Sequence, residues 1–518
     1  MKIKILSTSD VHGYLYPTNY STKTNVAEYG MLKAAGIIKR YKQTASADEI
    51  VIAIENGDWI QGSPLTSYVV KKLPVAKQSI FSQITADIGY DAGVLGNHEF
   101  NYGLAYLRST ETERNYPLLG ANIKGGRAQH IVDQPYQIIE QQGVKIAILG
   151  LTTAFVPRWE RAEHLPGLKF ESALATAKKW VPKLRKMADV VVVSYHGGLE
   201  YDPHTGLATE PLTNENEGSR ILTEVSGIDA LITGHQHRQI AQLINGVPVT
   251  QPGERGQMVG LIELQLNADN QVTNSTAKLL ATATEAPDPT LMSNTLQLEN
   301  DMQHWLDQPL GRVVGDQMIV TDPLKARLEG HAYLQFINQV QMAATKTDIA
   351  ATALFNDEVH GYGSVITIRQ VLNSYVYPNT LVVERISGAD LKLALERSAS
   401  YFALQANRVV VAAAFLKPKF QHFNYDFYSG IEYTFDLNRP VGERVIQLQY
   451  HGQPVTPNQT LLITMNQYRG NGGGDYPMFS ADKVVREVNM DMTELITDYL
   501  EKHPLVVAQQ PQNFTVKY

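Results

Sequence analysis

Residues 92–103 read Ala-Gly-Val-Leu-Gly-Asn-His-Glu-Phe-Asn-Tyr-Gly. A short apolar run, Ala92–Leu95, breaks at Gly96 into a cluster of amide, imidazole and carboxylate side chains. The same arrangement recurs through the first half of the chain. Ile3–Leu6 leads to Asp10-Val-His12-Gly, and Ile50–Ile54 leads to Asn56-Gly-Asp58. Lys145–Leu151 is a further run; Val190–Val193 leads to His196-Gly-Gly, and Ala230–Ile232 to Gly234-His235-Gln-His237. Their length and branched residues suggest buried strands, although periodicity alone does not separate these from buried helix. Helix-like stretches such as Gly30–Gln43 and Ser172–Met187 lie between them. The pattern therefore predicts an α/β layered sheet. Such folds place their ligands at the carboxyl ends of the strands, where the polar clusters fall.

After Thr250 the texture changes. Val259–Leu266 reads as an edge strand, and a segment rich in Asn, Thr and Ala follows to about Thr284. Pro289–Leu310 has apolar positions near helical spacing and reads as a connecting helix. A second α+β unit follows, with amphipathic helices near Ala332–Ala344 and Gly388–Ser398 and late strands at Ile431–Leu437 and Gln459–Asn466. With 518 residues the chain exceeds the roughly 250–300 at which single cores split. The expected division is 1–285, a connecting helix over 286–315, and a C-terminal unit over 316–518.

Composition narrows the function. The net charge of −7 offers no basic footprint for a nucleic-acid polymer. There is no cysteine, which removes disulfides, thiolate ligands and a cysteine nucleophile together. No apolar stretch approaches the roughly 18 residues of a membrane span. The N-terminus, MKIKILSTSDVHG, enters a strand pattern at once without a secretory signal, so the chain as written reads as cytoplasmic. A chain trimmed of a leader would read the same and be exported.

The polar clusters share one chemistry. Asp and Asn supply hard oxygens, and neutral imidazole suits borderline divalent ions such as Zn, Mn, Co or Fe. Each ligand type stands beside a glycine, which lets the backbone turn sharply. In Asp10–His12 the i, i+2 spacing places both side chains on one side of an extended strand end, and His235 and His237 repeat it. A lone Asp-x-His or His-Gly-Gly is better explained as a surface or structural feature. Five such clusters in one half, at successive strand ends, are not. The remaining histidines, including His130, His164, His204, His304, His331 and His451, lack such company and read as surface or satisfied core residues.

Taken in order, Asp-x-His, Gly-Asp, Gly-Asn-His-Glu, His and Gly-His-x-His resemble the calcineurin-like metallophosphoesterase signature. More narrowly, Asn56-Gly-Asp58-Trp-Ile-Gln61-Gly-Ser-Pro64 and Gly96-Asn-His-Glu-Phe100 are similar to the 5′-nucleotidase / 2′,3′-cyclic phosphodiesterase family. The resemblance implies a four-layer α-β-β-α sandwich, a linking helix and a C-terminal α+β nucleotide-binding domain. It assigns Asp10, His12, Asp58 and His237 to one divalent ion and Asp58, Asn97, His196 and His235 to a second, with Asp58 shared. It implies a metal-bridging hydroxide as nucleophile, Asn97 as a contact to substrate as well as to metal, and His98 as the group that stabilises the phosphoryl transition state or assists the leaving oxygen.

Two departures bear on the branch. The 5′-nucleotidase branch usually has Asp where this chain has Asn101, beside the catalytic histidine. Asn cannot hold a negative charge and supports His98 by hydrogen bonding alone. The Asn-Tyr-Gly ending resembles the 2′,3′-cyclic-nucleotide 2′-phosphodiesterase/3′-nucleotidases. Tyr375-Val-Tyr377-Pro-Asn-Thr-Leu and Asn466-Gln-Tyr468-Arg-Gly-Asn471-Gly-Gly-Gly resemble the segments that stack a base between aromatic rings, which implies Tyr377 and Tyr468 as the pair. The Gly-Gly-Ile-Arg segment of many 5′-nucleotidases is missing; the comparable stretch is Leu354-Phe-Asn356-Asp357. Asn356 is a candidate nucleoside contact, with a loop turn as the competing reading, and Asn471 in the glycine run is another. The expected activity is hydrolysis of small nucleotides, cyclic and then 3′. The alternatives are a 5′-nucleotidase or broad phosphomonoesterase, and a metal-containing protein that binds nucleotides without turnover.

Overall fold

All seven residues of the strand Val190–His196 are buried, because both of its faces are covered. Val190 and Val192 join Ile3, Ile5, Ile50, Ile52, Ile146 and Ile148 in one core. Val191 and Val193 point the other way, into a core with Leu174, Ala177, Val181 and Ile221. Strand side chains alternate with period two, so a run with both faces covered must be apolar throughout. The computed structural model describes residues 1–518 apart from 161, 209–211, 376–378, 407, 417–419 and 489, and apart from the side chains of Gln129 and Trp159.

The first core separates two 6-stranded sheets. One has the spatial order Val272–Ala281, Met258–Leu266, Lys2–Thr8, Glu49–Glu55, Ala92–Val94, Leu118–Leu119. The other runs Gln239–Ile244, Val247–Pro252, Ala230–Ile232, Val190–His196, Val144–Thr152, Tyr136–Gln141. Helix Met31–Gln43 lies against the first sheet, and Ala173–Leu184 with Gly218–Glu224 covers the outer face of the second. The result is an α-β-β-α sandwich. Its central strands are parallel, so their carboxyl ends meet at one edge of both sheets.

The expected edge of the first sheet changes. Met258–Leu266 is an interior strand, paired with Lys2–Thr8 on one side and Val272–Ala281 on the other. The true edge is Val272–Ala281, within the stretch rich in Asn and Thr. Its residues are intermediate or exposed, so no apolar alternation marked it.

Helix Pro289–Leu306 follows; it ends short of the expected 286–315 because Pro309–Gly315 is a strand, paired with Val365–Thr367 and Leu505–Ala508, and the chain divides into compact units Met1–Gln303 and His304–Tyr518. The second unit is built on a 5-stranded mixed sheet of order Asp426–Ser429, Ile349–Ala353, Thr460–Asn466, Leu381–Ser387, Val484–Val488. Helix Ala332–Thr345 packs on one face through Phe336, Ile337 and Val340. Helix Gly388–Ala399 packs on the other through Leu391, Ala394 and Leu395, and a capping box at Ser387 and Asp390 starts it. Among the described residues no helix is long and apolar enough to cross a membrane.

Candidate metal centre

The candidate ligands follow the carboxyl ends of the parallel strands, and their backbones are unusual. Asp10, His12, Asp58, His235 and His237 have φ of 56°, 50°, 60°, 68° and 55°. The left-handed region is sparsely populated for residues other than glycine, and such strain concentrates at functional sites. The chain around Asp10 and His12 is therefore not extended, and strand alternation does not explain their i, i+2 spacing. Two left-handed residues turn the chain and bring the side chains together. The neighbouring glycines serve chiefly as close-approach points. A Cβ on Gly96 would lie 2.2 Å from Asp58 Oδ1, and one on Gly234 would lie 2.1 Å from Ser9 Oγ and 2.7 Å from Asp10 Oδ2.

Two groups of donor atoms form. Asp10, His12 and His237 each offer one atom within 4.8 Å of the others, as do Asp58, His196 and His235. In the first group His12 Nδ1 lies 3.0 Å from the Gln61 carbonyl, to which it can only donate, so Nε2 carries a lone pair in the neutral ring. That lone pair faces His237 Nε2 at 3.0 Å, and His237 Nε2 is 3.4 Å from Asp10 Oδ1. Imidazole nitrogens so placed need a proton or a cation between them. In the second group His196 Nδ1 donates to the Asn56 carbonyl at 2.7 Å. Its Nε2 points at Asp58 Oδ2 and Asn97 Oδ1, each at 3.2 Å. Oxygen and imidazole donors without sulfur suit divalent ions of the Zn, Mn, Co or Fe type.

Electrostatics agree with the donor set. Burial opposes ionisation of Asp58, yet the His196 and His98 charges hold its carboxyl well below the ordinary range. Burial likewise opposes the Asp10 charge, and the His237 hydrogen bond and His196 charge outweigh it. His196 is pushed down by burial and up by Asp58, and the net is a rise to about 10. Burial drives His12 down to about 4. Two buried carboxylates thus draw positive charge onto a ring that a bound cation would need neutral.

His98 is fixed at both ends. Its backbone N–H donates to Asp58 Oδ1 at 2.7 Å, and its Nδ1 meets Asn101 Oδ1 at 2.6 Å. Its ring lies edge-on to that of His12, with centroids 5.1 Å apart. In the second unit Tyr468 is 48% exposed, its ring at 72° to that of Phe423 with centroids 6.2 Å apart, and Gly473 so near that an added Cβ would lie 2.6 Å from the ring. Asn471 is exposed in the loop that follows. Asn356 Oδ1 accepts the Glu358 backbone N–H at 2.8 Å, the geometry of a loop turn. Tyr377 lies outside the described residues.

Sequence reasoning gave no role to several carboxylates that hold this site. Glu99 accepts backbone N–H groups from Gly96 at 2.6 Å, Asp58 at 2.8 Å and Trp59 at 2.6 Å, tying two ligand loops together. Its place in the Gly-Asn-His-Glu motif was the available signal. Glu215 meets His235 Nε2 at 3.0 Å, and Glu254 lies 3.4 Å from His237 Nδ1. Such carboxylates orient imidazole ligands. Neither stands in a recognisable pattern. In the second unit buried Arg469 pairs with Asp426 at 2.7 Å and donates to the Phe423 carbonyl, anchoring the glycine loop.

Residues 3–239 match the calcineurin-like phosphoesterase family, and residues 314–481 match the 5′-nucleotidase C-terminal domain. The chain is 28% identical to a 2′,3′-cyclic-nucleotide 2′-phosphodiesterase/3′-nucleotidase of Yersinia enterocolitica, over 99% of this chain and 87% of that one. It is 26% identical to the trifunctional nucleotide phosphoesterase protein YfkN of Bacillus subtilis, but spans only 39% of that protein's length. A crystal structure of a putative 5′-nucleotidase from Staphylococcus aureus is 37% identical, with a TM-score of 0.81 and 100% of each chain covered.

Proposed function

Because the chain belongs to the calcineurin-like phosphoesterases that carry a 5′-nucleotidase C-terminal domain, and is a metal-dependent phosphoester hydrolase, we propose that it acts on small nucleotides, opening 2′,3′-cyclic phosphates and then removing the 3′-phosphate. Calcineurin-like phosphoesterases use a dimetal centre. Asp10, His12, Asp58 and His237 would hold one ion, and Asp58, Asn97, His196 and His235 the other. When bound, the ions supply Lewis-acid charge and an activated water for in-line displacement at phosphorus.

The chain's own residues do the rest. Asn101 accepts a hydrogen bond from Nδ1 of His98, which leaves Nε2 as the edge that faces a phosphate or leaving-group oxygen. Glu99 keeps the Asp58 and Asn97 loops in register. Tyr468 offers an aromatic face for the base, with Tyr377 as its intended partner.

The observation that carries the cyclic/3′ branch is the neutral Asn101 against His98, 2.6 Å away, where the 5′ branch has a carboxylate. The Yersinia relative carries the name of that branch. With Mn or Co supplied, the protein is expected to hydrolyse 2′,3′-cyclic AMP and 3′-AMP faster than 5′-AMP. If 5′-AMP were clearly the best substrate across several metals, the branch would be wrong. The 5′-nucleotidase reading stands as the alternative because the Staphylococcus aureus structure bears that description at 37% identity.

A further inference from the structure

Asn101 does not end the hydrogen-bond chain that begins at His98. Its amide Nδ2 lies 2.7 Å from Glu160 Oε2, and the other oxygen of that carboxylate lies 2.7 Å from His164 Nδ1. Glu160 follows the short helix Val156–Trp159, and only 6% of its side chain is exposed. The ring of His164 sits 3.5 Å from where a Cβ on Gly103 would be, so it rests against the chain just beyond Asn101.

The donors in this row are forced. An ionised carboxylate only accepts, so the Asn101 atom facing Glu160 must be the NH2 group. The Asn101 carbonyl then faces His98, and because a carbonyl only accepts, His98 Nδ1 must carry a proton. At the far end His164 Nδ1 donates to Glu160. We propose that Glu160, braced by His164, is a positioning residue that sets the orientation of Asn101 and through it the tautomer of His98. The carboxylate that the 5′ branch places directly on the histidine is here one residue further out, with an amide as the relay. The inference rests on the reading of His98 as the catalytic histidine.

The arrangement makes an unusual exchange possible. Asn101→Asp alone sets two carboxylates against each other across 2.7 Å, so they must splay or share a proton. Adding Glu160→Gln restores the bonds of this row, with the amide and the carboxylate exchanged. The amide introduced at position 160 donates to the carboxylate introduced at position 101, and that carboxylate accepts from His98. The carbonyl of the same introduced amide accepts from His164. Glu160→Gln alone keeps an accepting carbonyl for one neighbour and turns its NH2 group on the other, so it is expected to lower kcat, though by less than Asn101→Asp does.

The test is a double-variant cycle in the full-length, Mn-loaded protein with 2′,3′-cyclic AMP and bis(p-nitrophenyl) phosphate. Asn101→Asp is expected to lower kcat about tenfold or more with KM within about twofold, and the double variant N101D/E160Q to return to within about threefold of wild type. Metal content is expected to be the same in all four proteins, since no ligand is altered. Wild-type kcat in N101D, or a double variant no faster than N101D, would overturn the proposal. If N101D does not fold, nitrogen-15 NMR of the zinc-loaded wild type decides: Nδ1 of His98 should carry the proton, and a bare Nδ1 refutes the relay. An inactive wild type would refute the phosphoesterase reading instead, while the NMR result would still judge the hydrogen-bond row.

Discussion

Replacing Gly96 with alanine is expected to disable the second group of metal donors while leaving the sandwich folded. The new Cβ would lie 2.2 Å from Asp58 Oδ1, 2.7 Å from the Asp58 backbone nitrogen and 2.7 Å from His196 Cε1. Ordinary contact begins at 3.4 Å, so the nearest atom must move by more than 1 Å. None of the three is the end of a flexible side chain. Asp58 is held by the Glu99 carboxylate through its N–H and by His98 N–H through Oδ1, and His196 is tied to Asn56. Moving them therefore shifts two ligands at once. A 1 Å misplacement can cost about 100-fold in rate, and disturbing groups that support a metal typically costs about 10–100-fold in affinity. The expected result is a fall of about 100-fold in kcat/KM and of at least about tenfold in affinity for one Mn of two, by calorimetric titration. In chelator the overpacking should cost about 1–3 kcal/mol by thermal or urea melting of the first unit. Gly126 is the control: it has open space around its Cβ and no positive φ, and G126A should be within about 0.5 kcal/mol of wild type. G96A binding two Mn with wild-type affinity and turnover would show that the close approach at Gly96 does not hold Asp58 and His196 in place.

Other outcomes follow from the same structure. Tyr468→Ala should raise KM for nucleotides about tenfold while leaving hydrolysis of bis(p-nitrophenyl) phosphate unchanged, since a lost base stack is worth about 1–3 kcal/mol; equal loss on both substrates would contradict its role. Glu384, buried in strand Leu381–Ser387, has its carboxyl pushed up from 4.5 to about 8, chiefly by desolvation. A raised folded-state value means its contribution to stability is fully present below the unfolded value of 4.5 and is lost as pH rises through about 8. Stability of the second unit should therefore fall by up to about 1.4 kcal/mol per pH unit in that window. Urea melts at several pH values should show the slope, and Glu384→Gln should flatten it.

The first unit was legible in its sequence because its strands are covered on both faces, as Val190–Val193 shows, and unbroken apolar runs survive any uncertainty about register. Val272–Ala281 was not, because an exposed edge has no apolar side to reveal. The candidate ligands could be chosen by residue type, since imidazoles and carboxylates rarely stand together at successive strand ends. Their backbone could not: Asp10 and His12 look like strand residues and adopt left-handed φ, which only tertiary contacts impose. Glu215, Glu254 and Glu160 escaped for a related reason. They come from loops with no periodic pattern, and only the folded chain places them beside His235, His237 and Asn101.

The most direct measurement is anomalous diffraction at the Mn edge from crystals grown with Mn. Two peaks are expected, one enclosed by Asp10, His12 and His237 and one by Asn97, His196 and His235, with Asp58 reaching both. A single peak away from these residues, or no peak at full Mn occupancy of the crystal solution, would contradict a dimetal centre at this site.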